Sequence, residues 1–197
     1  MLVKAVVVNL DSALLKVDVS EVERRLKQVL GVDGGLKRLI MEALKSPDKA
    51  KLNAVCEILD AFEAKTAEEA EIDQEDLEAL CVLKAIGVKL ALVTMRGRMS
   101  TERILERIGL EGVFDVVVTR DEESEKALQI ARACGNLGYR ASETLYVGFS
   151  TADAIIGLQA GCLVATPHRV LQALDRTIKV SSLHQLLNVF MFTAPSQ

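Results

Sequence analysis

Hydrophobic and polar positions along the chain follow two different patterns. Residues 6–15 begin with a run of branched aliphatic side chains, which is typical of a buried strand. Over 15–87 the apolar residues recur three and four positions apart, which predicts helices with one apolar face. From 88 to 167 short apolar runs alternate with helical segments. Strands that are apolar on both faces and alternate with helices indicate a parallel sheet covered on both sides.

The pattern predicts an α/β core of residues 1–14 and 88–197, with a helical insertion over 15–87 after the first strand. Four further strands are predicted, at 88–94, 114–119, 143–148 and 162–167. The tail carries apolar residues at helical spacing, namely Leu183, Leu186, Leu187 and Phe190. We expect this tail to pack on the edge of the sheet, with a dimer contact as the alternative.

Composition excludes several classes of protein. The 197 residues carry a net charge of −4 and no tryptophan, which is unlike the basic, aromatic-rich surface of a nucleic-acid binder. No apolar stretch reaches the roughly 20 residues that a membrane span requires. Met1 leads almost directly into the first strand, so we expect a cytoplasmic protein without a signal peptide. The four cysteines lack metal-binding spacing and lie in apolar segments, so we expect buried thiols.

Polar side chains follow the predicted strands at the points where each strand ends. The carboxyl ends of parallel strands meet at one edge of a sheet, and ligands bind at that edge. A lysine, a threonine and carboxylates collected there could hold a phosphate group. In chain order the polar residues at or near these ends are Asn9, Asp11, Thr94, Lys126, Ser150 and Asp153.

The order of these residues resembles that of the haloacid dehalogenase-like (HAD) hydrolases. Members of that family open with a strand that ends in Asp-x-Asp-Gly-Thr-Leu, where this chain has Asn-Leu-Asp-Ser-Ala-Leu at 9–14. A second strand ends in Thr or Ser, matching Thr94, and a lysine follows, matching Lys126. The fourth motif, Gly-Asp-x-x-x-Asp, matches Gly-Phe-Ser-Thr-Ala-Asp at 148–153. The resemblance implies a Rossmannoid three-layer core around a parallel sheet, with a small helical cap inserted after the first strand.

The resemblance also implies a chemistry for these positions. In the family the first Asp attacks the phosphoryl group, the second Asp protonates the leaving group, and Thr and Lys hold the phosphate oxygens. Mg²⁺ is held by the first Asp, the backbone carbonyl of the second and an acid of the fourth motif. This chain departs at two positions, because Asn9 stands at the nucleophile and Phe149 at a metal ligand. The residues that match the family are Asp11, Thr94, Lys126 and Asp153.

These two departures predict a protein without phosphatase activity. The amide of Asn9 is neutral and weakly nucleophilic, and it is a poor ligand for Mg²⁺. We therefore expect no cofactor, and a function in which a phosphorylated small molecule or a protein partner binds in the cleft between core and cap. The alternative is a divergent Mg²⁺-dependent phosphatase that acts on a small phosphorylated metabolite, and Mg²⁺ is expected only in that case. A third hypothesis is a structural subunit with a vestigial cleft.

Several of these residues also allow a structural interpretation. Asn9 could hydrogen-bond to neighbouring loop backbone, as residues at strand ends often do. Lys126 lies in a charged segment and could be a solvated residue at the start of a helix. Asp153 is expected to support its neighbours rather than to bind a metal alone. Arg96 and Arg98 follow Thr94 and could bind an anion, but we expect them to be charges of a surface loop.

Overall fold

A parallel sheet of six strands organises the structure. The computed structural model describes residues 3–15, 17–167 and 176–191. The strands follow the order β3-β2-β1-β4-β5-β6, and every neighbouring pair is parallel. The predicted parallel sheet is confirmed, whereas the short and partly polar β6 was not indicated by the hydrophobic pattern. The strands are β1 Ala5–Asn9, β2 Lys89–Val93, β3 Val116–Val118, β4 Thr144–Val147, β5 Leu163–Thr166 and β6 Thr177–Lys179.

Helices fill the segments between these strands. A single π-helical turn, Leu10–Leu14, follows β1 directly, and a 3-10 turn, Ala141–Glu143, precedes β4. The helices of the predicted insertion are α1 Ser20–Leu30, α2 Leu36–Lys45, α3 Lys49–Glu68 and α4 Gln74–Ala85. The remaining helices of the described residues are α5 Arg98–Arg107, α6 Lys126–Leu137, α7 Thr151–Gln159 and α8 Leu186–Met191.

The chain divides into two compact units. The first comprises Met1–Lys16 and Ala70–Gln197 and contains the sheet, and the second comprises Val17–Glu69 and contains α1 to α3. The predicted insertion, 15–87, is therefore longer than the second unit. Helix α4 belongs to the first unit because it packs against β2 and α8. Its amphipathic pattern does not distinguish a helix that covers a sheet from one that joins a helical bundle.

The first unit has helices on both faces of its sheet. Helix α6 lies against β1, β2 and β3, and α7 lies against β5, whereas α4 lies against β2. The connections from β1 to β2 and from β3 to β4 cross the sheet in opposite directions, so right-handed crossovers place α4 and α6 on opposite faces. Every residue of β1 is buried as a result. The core on the α6 side includes Val7, Ala91, Val93, Ile130, Ala133 and Tyr146.

The second unit is built from three amphipathic helices with a core of their own. Helix α1 ends at Gly31, whose φ of 72° lies in the left-handed region that glycine adopts most easily. Helix α3 begins after Asp48, whose carboxylate accepts hydrogen bonds from the backbone N–H groups of Ala50 and Lys51. Apolar faces of the three helices meet in a buried cluster of Val22, Leu26, Leu39, Ala43, Val55 and Ile58.

The tail of the described chain packs against a helix. Leu186 and Phe190 are buried, in agreement with their helical spacing. Helix α8 packs against α4. The backbone N–H of His184 donates to the carboxylate of Asp76, in the first turn of α4, at 2.8 Å. This bond anchors the start of the tail at the same helix.

The cysteines divide into two pairs by exposure. Cys134 and Cys162 are buried, as predicted, and their sulfur atoms are 4.0 Å apart. Cys56 and Cys81 are exposed, so the prediction of buried thiols is wrong for them. Each lies on a helix next to apolar residues, and a step of one position along a helix turns a side chain away from the core. Within the described ranges, no helix is both long and apolar enough to span a membrane.

Candidate functional site

The register of the sheet brings three predicted strand ends to one edge. Strand β1 lies between β2 and β4, with Asn9 opposite Val93 and Val8 opposite Val147. The residues that follow these three strands are therefore neighbours, although they are far apart in sequence. The π-helical turn after β1 buries its leucines and leaves Asp11 half-buried at the same edge. Such turns are rare and are often found at functional sites.

Asn9 connects two other predicted site residues. Its side chain is buried, with 6% of its surface exposed. The amide Nδ2 donates to Asp153 Oδ1 at 2.7 Å, and the amide Oδ1 accepts from Lys126 Nζ at 3.3 Å. An amide has a donor on one side and an acceptor on the other, so it satisfies a carboxylate and an ammonium at once. Asn9 thus bonds to side chains, whereas the structural interpretation placed its bonds on loop backbone.

Asp153 is buried and accepts hydrogen bonds from several donors. Besides Asn9, the hydroxyl of Tyr146 donates to Oδ1 at 3.1 Å. The hydroxyl and backbone N–H of Ser150 donate to Oδ2 at 2.5 and 3.1 Å, and Ser150 in turn caps the start of α7. Burial and the adjacent negative charge of Asp153 raise the pKa of Tyr146 well above its usual value. Asp153 therefore joins Asn9, Tyr146 and Ser150 through its two oxygens. That it supports its neighbours rather than binding a metal stays a prediction.

Asp11 lies in a second set of contacts at the end of β2. Its Oδ2 accepts from the hydroxyl of Thr94 at 2.7 Å, and its Oδ1 accepts from Arg96 Nε at 2.6 Å. Burial favours the neutral acid, but the charges of Arg96 and Lys126 and the two hydrogen bonds outweigh it. Together they hold the pKa of Asp11 below its usual value. Asp11 is therefore a carboxylate at neutral pH.

Arg96 belongs to this site, which corrects its expected place in a surface loop. It is 4% exposed, and its backbone N–H donates to the Thr94 hydroxyl at 3.1 Å. Arg98 differs, because its guanidinium donates to Glu122 and to the carbonyl of Val117. One signal in the sequence could have separated the two arginines. Arg96 stands two positions after the strand-end Thr94, which is the same spacing that places Asp11 after Asn9.

Gln129 is a positioning residue that sequence reasoning missed. It is fully buried, and its amide Nε2 donates to the carbonyl oxygens of Thr94 at 2.8 Å and Glu123 at 2.7 Å. These bonds tie the first turn of α6 to the end of β2. Gln129 follows Lys126 by three positions, so the two share one face of the helix. That spacing, three positions after the predicted site residue Lys126, was the signal available in the sequence.

The loop after β4 meets the π-helical turn at its backbone. Phe149, at the position where the family has a metal ligand, donates its backbone N–H to Ser12 Oγ at 3.4 Å. Gly148 has no room for a side chain, because an added Cβ would lie 2.4 Å from the Cβ of Asp153. This loop therefore runs close over the buried Asp153. Packing against Asp153 therefore requires a glycine at this position of the fourth motif.

The residues at this edge do not fit Mg²⁺. Magnesium requires an octahedral set of oxygen ligands, with carboxylates supplied by the protein. Here Asp11 is held by Arg96 and Thr94, and the N–H side of the Asn9 amide faces Asp153. Within residues 3–15, 17–167 and 176–191, no three His, Cys, Asp or Glu side chains come together in a way that could hold a metal ion.

The charged groups of the site balance one another. The site contains two carboxylates, Asp11 and Asp153, and two cations, Lys126 and Arg96, of which Arg96 pairs with Asp11 and Lys126 donates to Asn9. A hydroxyl and two cationic side chains are the groups with which proteins bind phosphate oxygens. The site therefore has the donors for an anion, and it has no carboxylate at the position of the family's nucleophile.

The chain matches a known protein family and individual relatives. The profile of the haloacid dehalogenase-like hydrolase family matches residues 4–166. A phosphoglycolate phosphatase of Neisseria gonorrhoeae is 32% identical over 87 residues, which are 43% of this chain and 37% of that protein. Another phosphoglycolate phosphatase, from Thiobacillus denitrificans, is 24% identical over 188 residues and 82% of each chain.

Solved structures agree with the fold. A haloacid dehalogenase-like family hydrolase from Streptococcus pneumoniae superimposes with a TM-score of 0.72 at 15% identity. The superposition covers 95% of this chain and 98% of that one. Identity at this level speaks for the fold alone, whereas the family profile extends through all four motif positions, from Asn9 to Asp153. The chain belongs to the haloacid dehalogenase-like hydrolase family.

Proposed function

We propose that this protein binds a phosphorylated ligand at the carboxyl edge of its sheet without hydrolysing it. The observation that carries the proposal is the Asn9 amide, which stands at the nucleophile position and bridges Lys126 and Asp153. A carboxylate at this position would face Asp153 Oδ1 with like charge, and a cation would be needed between them. The amide removes that need.

The donors of the site define the class of ligand. Thr94, Arg96 and Lys126 present a hydroxyl, a guanidinium and an ammonium within one group of contacts. Such groups favour a phosphate over a neutral ligand, because charge-assisted hydrogen bonds are about twice as strong as neutral ones. The phosphate belongs to a small molecule or to a protein partner.

Hydrolysis lacks two of its requirements in this chain. An amide oxygen is a weak nucleophile, and attack by it would not give an ordinary acyl phosphate. Asp11, the position of the family's acid, is ionised and paired with Arg96, so it has no proton to donate at neutral pH. In catalytic groups that act as a unit, the loss of one member can cost about 10⁶-fold in rate.

A divergent Mg²⁺-dependent phosphatase acting on a small phosphorylated metabolite is the second candidate function. Two observations favour it. Two relatives that the chain resembles in sequence are named phosphoglycolate phosphatases. The chain also keeps Asp11, Thr94 and Lys126 at the family's positions. In this case the reaction needs a different nucleophile from the one that the family uses.

Phosphate release separates the two candidates. The purified protein is incubated with a panel of phosphomonoesters, including phosphoglycolate, with and without Mg²⁺. We expect no release above the uncatalysed rate. Release that requires Mg²⁺ and is abolished by Asp11→Ala would overturn the binding proposal in favour of the phosphatase.

Binding is measured on the same panel by calorimetry and thermal denaturation. A ligand present at 100 times its Kd stabilises the folded state by about 2.7 kcal/mol, which denaturation readily detects. Lys126→Met should weaken binding, whereas Lys179→Met, at an exposed position of β6, should leave it unchanged. Absence of binding to every member of the panel by the folded wild-type protein would contradict the proposal.

A further inference from the structure

We infer that Arg96 is an anion-binding residue of this site and that Asp11 is its internal competitor, which an incoming phosphate must displace. The inference rests on the proposed function and adds to it how the site is controlled. It assigns to Asp11 a role opposite to that of a catalytic acid, because removing its charge should strengthen the binding of the ligand.

The contacts of Asp11 are those that a phosphate would make. One carboxylate oxygen accepts from the Thr94 hydroxyl and the other from Arg96 Nε, at 2.7 and 2.6 Å. A phosphate presents the same kind of oxygen acceptors, with more negative charge and a third oxygen for Lys126. Thr94 has one hydroxyl proton and Arg96 has one Nε–H, and both already donate to Asp11. The carboxylate and the phosphate therefore compete for the same atoms.

The exposure of the three side chains shows which of them a ligand meets first. The side chain of Asp11 is 35% exposed, whereas that of Arg96 is 5% exposed and Thr94 is fully buried. Asp11 is thus the most accessible of the three side chains, and it occupies both donors. A phosphate reaches Thr94 Oγ1 and Arg96 Nε only when the Asp11 carboxylate has turned away from them.

Charge gives the exchange its direction. With Asp11 in place, its negative charge offsets that of Arg96 at 2.6 Å, which weakens the attraction for an anion. When the carboxylate moves towards solvent it regains hydration, because it is already the most exposed of the three groups. A phosphate that takes its place brings a larger charge to Arg96 and to Lys126. The exchange therefore replaces the ion pair between Asp11 and Arg96 by stronger ionic contacts of the phosphate with Arg96 and Lys126.

Calorimetry with inorganic phosphate tests the inference on the full chain. The proteins are wild type, Asp11→Asn, Arg96→Gln and the double variant, measured without Mg²⁺. Asp11→Asn keeps the shape of the side chain and removes its charge. We expect phosphate to bind this variant about tenfold more tightly than wild type, or better, since one charge-assisted hydrogen bond is worth at least this ratio.

The Arg96→Gln background distinguishes competition from simple repulsion. The gain is the logarithm of the ratio of phosphate affinities with and without Asp11→Asn. If Asp11 competes for Arg96, this gain in the Arg96→Gln background should be less than half of the gain in wild type. An equal gain in both backgrounds would mean that only general repulsion was removed, and it would overturn the role of Arg96. Asp121→Asn removes an exposed carboxylate at the same edge and should give no gain.

The remaining outcomes also decide the matter. Equal phosphate affinity of Asp11→Asn and wild type would overturn the inference and leave the proposed function standing. If none of the folded proteins bound phosphate, the proposed function would fail and the inference with it. Should Asp11→Asn fail to fold, judged by its melting curve, Asp11→Ser takes its place with the same expected gain.

Discussion

The two sides of the candidate site hold their polar groups in different ways. On the amide side, Asn9 joins Lys126 to Asp153, and both Asn9 and Asp153 are buried. On the ion-pair side, Asp11 meets Thr94 and Arg96, and its carboxylate remains partly exposed. The amide side contains the position where the family's nucleophile is lost. The ion-pair side contains residues that match the family and one arginine that the family motifs did not predict.

This difference concerns how each side satisfies its polar groups. On the amide side, the buried Asp153 accepts hydrogen bonds from three neutral side chains, those of Asn9, Tyr146 and Ser150. The ion-pair side keeps its charges because one of its members is close to solvent. A buried polar group is costly when it loses its partners, whereas a partly exposed one finds water. The two sides should therefore respond differently to substitution.

The largest effect is expected on the amide side, from Asp153→Ala. The change leaves the donors of Asn9, Tyr146 and Ser150 without their acceptor in a buried environment. We expect a loss of about 3 kcal/mol or more in the free energy of unfolding, measured in urea. Ile155→Ala, at a position of the same helix that is 45% exposed, should cost far less. Equal losses would mean that the bonds of Asp153 contribute little.

The second prediction concerns Asn9→Asp, which removes the amide that joins Lys126 to Asp153 and leaves the size of the side chain nearly unchanged. The new carboxylate would face Asp153 Oδ1 at 2.7 Å, and the like charge should raise the pKa of one of the two acids. We expect a loss of about 2 kcal/mol at pH 7. A raised pKa in the folded state means that the loss grows as the pH rises. Urea unfolding at pH 4.5 and 7 checks the sign.

A loss that was the same at both pH values would contradict like-charge repulsion as the cause. Asn188→Asp, at an exposed position of α8, is the matched control for an amide-to-acid change, and it should have little effect at either pH.

The third prediction asks whether the amide side can be returned to a metal site. Asn9→Asp with Phe149→Asp supplies two carboxylates, whereas each single change supplies one. We expect the double variant to bind Mg²⁺ more tightly than the single effects add up to, with a coupling of about 1 kcal/mol. Calorimetry on the four folded proteins measures it. Strictly additive affinities would mean that positions 9 and 149 do not share a metal site.

The smallest effect is expected on the ion-pair side, in how the free energy of unfolding changes at acid pH. The pKa of Asp11 is lowered in the folded state, so its contribution is present above its unfolded pKa and disappears as the pH falls through the folded value. Asp11→Asn should therefore remove a stabilisation of less than about 1 kcal/mol at pH 7, because the group is partly exposed.

The measurement is the difference in unfolding free energy between wild type and Asp11→Asn at pH 3, 4, 5 and 7. The difference should decline below about pH 4. A difference that grew as the pH fell would reverse the sign and contradict the ion pair. Glu122, whose pKa is lowered to about 2, titrates in both proteins and so cancels from the comparison.

Local patterns in the sequence determined most of the fold. The apolar run from Leu90 to Val93 in β2, followed by the helix Arg98–Arg107, shows in the spacing of side chains alone, because burial on both faces leaves no polar position among these four residues. The four motif positions were also visible from their order along the chain, although Lys126 opens α6 rather than following a strand directly. The departures at Asn9 and Phe149 needed nothing beyond their order along the chain.

Contacts between distant segments decided the rest. Asn9 and Asp153 are 144 positions apart, and no local pattern states that their side chains bond. Arg96 is a loop residue by composition, yet the turn after β2 directs it onto Asp11 and buries it. The amphipathic helix α4 covers the sheet rather than joining the second unit. A side chain's partner depends on where other strands end, and only the folded sheet brings those ends together.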